Sequence, residues 1–388
     1  MLMRSRNEDE IMKKNIVVVT YGYPCQQSPN QYVFVKKLME ELALLGENVY
    51  VIHPIASTKR FPLTKNETES QNGLHVYEIG YPAYHLLFPF RHLHTALLDK
   101  EFYRSVLDAT EQLGLNKNNS VLYAHFLNAG MCISKLAEEL GFRAYCAVGE
   151  STLWSIKYRS RKHVIKRLSA ITKYIAVSTD NKNMLLDANI TSADNITVLP
   201  NGVDTNLFYP RNKQKAREEL GLPKEETIGI FVGAFIERKG ASRVAKAMHG
   251  IDNVRMIYIG KGAEKPEDDN ALYIGEMEHS KIPLYLSAAD FFVLPTQNEG
   301  CCNAILEAIS CGLPIISSDC PFNDDILDDT YSIRIDPNNV ALLHDSIIRL
   351  ASDKKGMQEM SENAHQASLK FGIHERAEKI RRIIGVAD

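Results

Sequence analysis

Short apolar runs alternate with helix-forming segments along most of this chain of 388 residues, and this alternation limits its fold more than any other feature. Residues 16–20 are typical of a strand, about 31–45 of a helix and 49–52 of the next strand. Two strands joined by a helix through short links are parallel and form a right-handed unit. The pattern recurs up to residue 178, and a second series of strands begins at residue 228. The sequence therefore predicts an α/β fold with two doubly wound halves.

The domain boundary is predicted near residues 195–205, where the first series of strands ends. We expect a mobile N-terminal tail at residues 1–12, an N-terminal Rossmann-like domain at 13–198 and a C-terminal Rossmann-like domain at 199–373. A chain of this length is long enough for two such domains. Because ligands of open parallel sheets bind at the carboxyl ends of the strands, we expect the binding site in the cleft between the halves.

The composition excludes several classes of protein. The formal net charge of −3 gives no support for a nucleic-acid-binding protein. Seven cysteines without zinc-like spacing favour a reducing cytoplasm over a disulfide framework. The chain contains no apolar run of about 18 residues, so no transmembrane helix is predicted. We therefore expect a cytoplasmic protein of ordinary globular composition.

The segment 295–308 carries the strongest functional signal. It places Glu299 and Glu307 eight positions apart at the beginning of a helix that follows an apolar strand. The amides of residues 301–303 at the start of that helix are expected to bind an anion, and Gly300 lets a ligand approach the backbone closely. A carboxylate beside a phosphate site suits hydroxyl donors such as a ribose or a sugar ring. The pattern therefore predicts a nucleotide sugar as the ligand.

This arrangement resembles the E-x7-E signature of retaining glycosyltransferases of the GT-B fold, family 4. Further segments that resemble the same family follow its order, at residues 201–204, 231–240, 258–262 and 273–276. The resemblance is strong from about residue 195 to 320 and rests on pattern alone from 13 to 190. It implies two Rossmann-like domains facing a central cleft, with the donor on the second. It also implies that the last helix, about 374–388, packs back on the first domain.

In the second domain the resemblance assigns Glu307 to the ribose hydroxyls of the donor and Glu299 to the transferred sugar. The alternatives are a solvated helix glutamate for Glu307 and a carboxylate that satisfies the helix start for Glu299. The other candidate donor-binding residues act through backbone groups or support the loops: Gly233, Gly260, Met277, Gly300, Cys301, Cys302 and Asn303. A redox or metal role for the two adjacent cysteines is disfavoured, because no third or fourth ligand is nearby.

A glycine-rich loop supplies the candidate cations. Lys239, just before Gly240, is predicted to neutralise the diphosphate leaving group, although a surface lysine is the alternative. Many family members carry an arginine after the first glycine of this loop, where this chain has Ala234. Either Arg238 takes over that role or the stabilisation of charge is weaker. The predicted catalytic set is therefore Glu299, Lys239 and Arg238.

The first domain offers fewer candidates. Gly22 and Tyr23 follow the first strand and are expected to face the cleft. His125 ends a later strand and could orient the acceptor hydroxyl, or could be a structural histidine. Many family members place a histidine at the end of the next strand, where this chain has Val148. Glu150, two residues later, is the candidate that contacts the sugar or the acceptor instead.

A basic segment runs from Lys157 to Arg167 with apolar residues between its charges. Together with an aromatic and apolar stretch at residues 81–98, it could lie on an anionic membrane surface and guide a lipid-linked acceptor. A solvated helix face and a packed loop are the alternative interpretation. The expected location is the cytoplasm, with a peripheral position on the inner face of the membrane as the further option.

The function predicted from these features is that of a metal-independent, retaining hexosyltransferase. It moves a sugar from a UDP- or GDP-sugar, with UDP favoured, to a saccharide or lipid-linked acceptor in cell-surface polysaccharide or glycoconjugate synthesis. No cofactor, metal or nucleic-acid partner is expected. One alternative is a non-catalytic partner or scaffold of the same fold, which Ala234 and Val148 motivate. A less favoured one is a sugar-nucleotide epimerase, which needs ionisable groups around the sugar.

Overall fold

The computed structural model describes residues 14–25, 32–83, 91–153 and 159–386. The tail expected at residues 1–12 lies outside these ranges. Within them the chain forms two α/β domains, each built on one sheet packed against helices. The alternation of strands and helices therefore gives the fold class that the sequence predicts.

The N-terminal domain contains eight strands in its described residues. Its elements are β1 (Asn15–Thr20), α1 (Val33–Leu44), β2 (Val49–Ser57), β3 (Thr64–Lys65), β4 (Leu74–Pro82), α2 (Arg91–Gln112), β5 (Ser120–His125), α3 (Leu127–Leu140), β6 (Ala144–Val148), α4 (Arg161–Leu168), β7 (Lys173–Ala176), α5 (Thr179–Asp187) and β8 (Ile196–Val198). The strand order is β3-β4-β2-β1-β5-β6-β7-β8. The short β3 is antiparallel to β4, and the other neighbouring pairs are parallel.

The C-terminal domain has a parallel sheet with the order β11-β10-β9-β12-β13-β14. Its elements are α6 (Lys213–Leu220), β9 (Thr227–Val232), α7 (Ala241–Met248), β10 (Val254–Ile259), β11 (Ala271–Gly275), α8 (Ile282–Ala288), β12 (Phe291–Leu294), α9 (Asn303–Ser310), β13 (Ile315–Ser318), β14 (Ser332–Ile335), α10 (Val340–Ser352) and α11 (Lys354–Ser368). α12 (Ile373–Ile384) follows this domain.

The apolar strand runs arise because helices cover both faces of the first sheet. Ile16 and Val18 of β1 point into the cluster that contains α1, while Val17 and Val19 point into the cluster on the opposite face. All four side chains are fully buried. Strands covered on both faces have continuous rather than alternating hydrophobicity, and this is the signal on which the fold prediction rests.

The last helix connects the two domains. α12 leaves the second domain at Ile373 and packs against α1 of the first, with Ala377 among its buried contacts. Arg376 of the same helix is buried and donates hydrogen bonds to the backbone carbonyls of Leu199 and Pro200 in the linker. Because α12 binds both the first domain and the linker, it constrains how the domains face each other.

The domains also meet at the cleft itself. Gly300 of the second domain lies so close to Gly149 of the first that an added Cβ would stand 2.1 Å from the Gly149 carbonyl oxygen. On the other side, the backbone amide and hydroxyl of Thr179 donate to the Asp325 carboxylate at 2.6 and 2.8 Å. These contacts hold the loops at the carboxyl ends of both sheets together.

Candidate active site

A cleft of about 720 Å³ separates the carboxyl ends of the two sheets. The first domain contributes the beginning of α1 and the loops after β6 and β7. The second contributes the linker, the loop after β9 and the turn from β12 into α9. The predicted site residues on its wall are Glu150, Gly233, Lys239, Glu299, Gly300, Cys301, Cys302, Asn303 and Glu307.

The turn from β12 into α9 presents backbone amides to the cleft. Cys302 is the residue that precedes the helix, and no side chain in the described structure accepts a hydrogen bond there as a cap. Asn303 instead accepts a hydrogen bond from the Asn201 side chain at 2.9 Å, which ties the helix start to the linker. The first amides of a helix carry a partial positive charge, so this turn can bind an anion.

The adjacent cysteines are structural. Cys302 is buried and Cys301 half-buried, and burial raises the pKa of Cys301 to about 12 and that of Cys302 to about 11. Both thiols are therefore protonated at neutral pH and poorly reactive. Within the described ranges, no group of three or more His, Cys, Asp or Glu side chains is placed to hold a metal ion.

Glu299 is bound by two cations and one hydroxyl. Its Oε1 lies 2.5 Å from Lys239 Nζ and 2.8 Å from Arg238 Nη1, and it accepts a hydrogen bond from Thr296 Oγ1 at 2.8 Å. Arg238 also donates to the backbone carbonyl of Asn298. Lys239 and Glu299 are both largely buried, whereas Arg238 is partly exposed and does not line the cleft. The structure therefore brings the three predicted catalytic residues together.

Glu307 projects from α9 and has a partner that the sequence analysis does not identify. Its Oε1 lies 3.0 Å from Nε2 of His279, a residue of the short turn before α8. Burial lowers the pKa of His279, but the hydrogen bond and the charge of Glu307 outweigh this effect, so the pKa lies above its usual value. No local pattern marks His279, because the contact joins residues 28 positions apart.

The glycine-rich loop and the strand ends around it form a supporting layer. Gly233 and Ala234 are on the wall of the cleft. Gly260 is not, and its amide donates to the Gly275 carbonyl at 2.7 Å. An added Cβ at Gly260 would stand 1.9 Å from the Gly233 carbonyl oxygen, which explains the glycine by packing. Met277 is half-buried against the core and also lies outside the wall.

Glu150 is the first-domain carboxylate on the wall. It is half-buried, and its two oxygens accept hydrogen bonds from the backbone amides of Leu127 at 2.6 Å and Gly149 at 3.1 Å. Burial raises the pKa of Glu150 to about 7 despite these bonds. The side chain is therefore able to gain or lose a proton at physiological pH.

Three first-domain candidates do not line the cleft. This is contrary to the expectation for Gly22 and Tyr23, whereas for His125 it agrees with the structural alternative. Tyr23 is buried in the core beside α1. Gly22 packs against the ring of Tyr32, and it is Tyr32 that lines the cleft. His125 is 3% exposed, and its neighbouring rings include Phe34. Burial, followed by the charge of a nearby arginine, lowers its pKa to about 3. The first helix covers these strand ends, which a sequence pattern does not reveal.

The basic segment is described only in part, since Lys157 and Tyr158 lie outside the described residues. Arg159 is paired with the Asp99 carboxylate at 2.5 and 2.8 Å. Lys162 and Lys166 of α4 are exposed. None of the described helices is long and apolar enough to span a membrane.

Several known sequences resemble this chain. Residues 212–367 match the family described as "Glycosyl transferases group 1". A Bacillus subtilis protein named for teichuronic acid biosynthesis, the glycosyltransferase TuaC, is 22% identical over 90% of this chain and 92% of its own length. The Escherichia coli UDP-Gal:alpha-D-GlcNAc-diphosphoundecaprenol alpha-1,3-galactosyltransferase is 30% identical over 58% of this chain and 65% of its own length.

Solved structures share the architecture. Sucrose-phosphate synthase from Thermosynechococcus elongatus superposes with a TM-score of 0.75, at 18% identity, over 97% of this chain and all of that one. Anabaena HepE in complex with UDP superposes with a TM-score of 0.72, at 14% identity, over 96% of this chain and all of that one. The fold is thus the GT-B fold. The match to the glycosyl transferases of group 1 lies in the C-terminal domain.

Proposed function

We propose that this chain is a retaining hexosyltransferase that uses a nucleotide diphosphate sugar. The observation that carries the proposal is the shared wall of Glu299, Glu307 and the start of α9, with Lys239 beside Glu299. Amides and a lysine match a diphosphate, and the two carboxylates match hydroxyls on either side of it. In chemistry and in order, these groups are complementary to the parts of a nucleotide sugar.

In the proposed complex the ribose hydroxyls donate to Glu307, the diphosphate lies at the α9 amides, and the sugar hydroxyls face Glu299. UDP is favoured as the nucleotide. The galactosyltransferase relative is named for UDP-Gal, and the Anabaena structure was determined with UDP. A retaining outcome follows if acceptor and leaving group occupy the same face of the sugar.

The reaction breaks the bond between the anomeric carbon and the diphosphate oxygen and forms a bond to the acceptor oxygen. The leaving diphosphate takes up the proton that the acceptor hydroxyl loses. Lys239 and the α9 amides stabilise the negative charge that grows on the diphosphate. Arg238 does not line the cleft and holds Glu299 through an ion pair. Because fixed positive charge is supplied by side chain and backbone, we propose a metal-independent reaction.

The acceptor is proposed to enter along the first domain, where Glu150 and Ser151 are on the wall. A saccharide or a lipid-linked saccharide fits the names of the relatives, one of which acts on a sugar diphosphoundecaprenol. The exposed lysines of α4 would then hold the protein at the inner face of an anionic membrane.

A non-catalytic role remains the competing function because Ala234 takes the place of an expected cation. In addition, the Lys239 ammonium is occupied by Glu299 in the structure. A scaffold of this kind would bind a nucleotide without transferring its sugar. Catalysis requires Lys239 to exchange part of this contact for the diphosphate when the donor binds.

The test is a panel of UDP- and GDP-sugars with the wild type and Glu307→Ala, measured by thermal shift and by release of nucleoside diphosphate. We expect one donor to raise the melting temperature and to be slowly consumed, with both effects lost in Glu307→Ala. Glu359→Ala, at an exposed site on α11, is the matched control and should behave as the wild type. EDTA should leave the rate unchanged.

Each alternative outcome has a separate meaning. A shift with a nucleotide sugar but no release, with or without candidate acceptors, supports the scaffold. No shift with any donor contradicts the transferase proposal. A rate that EDTA abolishes and Mg²⁺ restores contradicts metal independence alone. An altered sugar recovered from the donor indicates an epimerase.

A further inference from the structure

His279 is a titratable side chain on the wall of the cleft to which the proposed reaction gives no role. It lies in the turn His279–Lys281 that leads into α8, and its Nε2 atom is 3.0 Å from Glu307 Oε1. The side chain of His279 is 30% exposed and that of Glu307 14% exposed, so solvent screens their interaction only in part. A charge-assisted hydrogen bond in such a place is stronger than one on the open surface.

The ring of His279 is fixed from a second direction. Phe208 packs edge-on against it, with ring centroids 5.3 Å apart and an angle of 62° between the planes. Both rings and Ile282, at the start of α8, are on the wall of the cleft. An imidazole held by an aromatic ring on one side can in turn hold the carboxylate on the other.

Charges from two other elements act on the same imidazole. Asp204 in the linker favours its protonated form, and Lys37 of α1 disfavours it. These two side chains are themselves 3.9 Å apart, and both lie on the wall of the cleft. The protonation of the imidazole therefore depends on Glu307 and on these two opposite charges.

We propose that His279 is a positioning residue for the nucleoside. It holds the Oε1 atom of Glu307 so that Oε2 faces the ribose hydroxyls of the donor. This inference rests on the proposed function and goes beyond it, because it assigns ribose recognition to the pair of residues rather than to Glu307 alone. The imidazole does not touch the reacting atoms, so its effect falls on affinity and on the choice of sugar in the nucleotide.

The discriminating variants are His279→Ala, which removes the donor to Glu307, and His279→Gln, whose neutral amide can still donate to Glu307 but does not titrate. Each variant, the wild type and Glu307→Ala are titrated with UDP and with GDP by calorimetry. The same titrations use 2′,3′-dideoxy-UDP and 2′,3′-dideoxy-GDP, which lack the ribose hydroxyls. For UDP and for GDP, the measured quantity is the dissociation constant of the dideoxy form divided by that of the ribose form.

We expect the wild type to prefer the ribose form by about tenfold or more, which corresponds to one charge-assisted hydrogen bond. His279→Ala should lose most of this preference and resemble Glu307→Ala, while its affinity for the dideoxy form stays within about threefold of the wild type. His279→Gln should keep most of the preference. If His279 had only a structural role, His279→Ala would weaken the binding of the ribose form and of the dideoxy form alike.

The pH dependence provides a second readout. The raised pKa of His279 means that its cation is the stable form below that pKa, and that the cation is lost as the pH rises through it. The preference of the wild type for ribose should therefore fall with rising pH. His279→Gln has no imidazole to titrate and should keep a constant preference.

Two outcomes overturn the inference in distinguishable ways. If Glu307→Ala loses the preference for ribose and His279→Ala keeps it, the role of His279 is refuted and the proposed function stands. If the wild type binds none of the four nucleotides, the proposed function fails and the inference fails with it. An equal loss of preference in His279→Gln and His279→Ala, with unequal folding excluded by circular dichroism, also refutes positioning through this hydrogen bond.

Discussion

At the scale of single residues, Glu299 on the wall of the cleft holds both Lys239 and Arg238. The carboxylate accepts from both cations, so neither of them is presented as an open phosphate site before the donor binds. A largely buried ion pair is costly to break by removal of one partner. In the proposed complex, the donor diphosphate must therefore compete with Glu299 for these cations.

Replacing the carboxylate by an amide tests this arrangement. In Glu299→Gln the two cations keep a hydrogen-bond acceptor but lose their counter-charge. We expect UDP to bind as tightly as in the wild type or a few times more tightly, while the rate of sugar transfer falls by about 100-fold or more. Calorimetry and single-turnover kinetics measure the two quantities. Glu237→Gln, exposed in the same loop, should change neither, and much weaker binding of UDP would contradict this reading.

Also at the scale of single residues, Glu150 makes the folding stability depend on pH. Its pKa is raised by burial to about 7 in the folded protein, above its ordinary value of 4.5. Between these two values the folded state holds a proton that the unfolded state has lost. The contribution of Glu150 to folding stability is therefore full at low pH and is lost as the pH rises to about 7.

This linkage predicts different pH profiles for the wild type and Glu150→Gln. The free energy of unfolding of the wild type should fall between pH 5 and 8 by roughly 2 kcal/mol relative to that of the variant. Urea unfolding at several pH values measures the difference, and Glu138→Gln, at an exposed position on α3, controls for general charge effects. Parallel profiles for Glu150→Gln and the wild type would refute a raised pKa.

At the scale of elements, the strands and helices agree with the sequence analysis where helices cover both faces of a sheet. β12 was placed by its apolar run, and α9 follows it at the turn where the amides of the start of the helix were expected. The first domain was less well predicted at its loops. α1 covers the ends of β1 and β5, so the residues of those strand ends are buried behind Tyr32 and Phe126.

The surface of α4 supports a prediction at the same scale. Lys162 and Lys166 are exposed, and lysines near an anionic membrane each contribute about 1 kcal/mol to binding. Reversing both charges to glutamate should reduce binding to phosphatidylglycerol vesicles by about tenfold or more, with no effect on phosphatidylcholine vesicles. Co-sedimentation measures the partition, and the same reversal at Lys354 and Lys355 of α11 is the control. Equal binding by both double variants would contradict a specific role for α4.

At the scale of the whole molecule, the candidate site is formed only where the two domains meet. The wall contains residues from both, and the backbones of Gly149 and Gly300 approach each other across it. α12 joins the second domain to α1, and Arg376 ties it to the linker. The cleft is thus defined by a few close contacts far apart in the sequence rather than by either domain alone.

Gly300→Ala tests how much this closure contributes. The added methyl group would stand 2.1 Å from the Gly149 carbonyl oxygen, so the domains must separate to accept it. We expect slower sugar transfer, about tenfold or more, and a larger radius of gyration by small-angle scattering, because closure excludes water and aligns the substrates. Gly221→Ala is the control, since nothing lies within 4 Å of an added Cβ there.

The Gly221→Ala control separates the effect of backbone strain from the effect of domain closure. Gly221 has a φ of +65°, so its alanine variant loses about 1 kcal/mol of stability without an effect on transfer. Gly300→Ala should keep a two-domain circular dichroism spectrum like that of the wild type. Unchanged transfer in Gly300→Ala would show that the close contact is not needed for activity.

The sequence by itself determined the fold class and singled out the segment 295–308, because these depend on local periodicity and on spacing within one turn and helix. The tertiary structure alone decided that Glu299 holds both cations, that His279 meets Glu307, and that Tyr23 and His125 are buried. These contacts join segments that lie tens of residues apart. Their geometry depends on how helices cover strand ends and on how the two domains close, which no local pattern encodes.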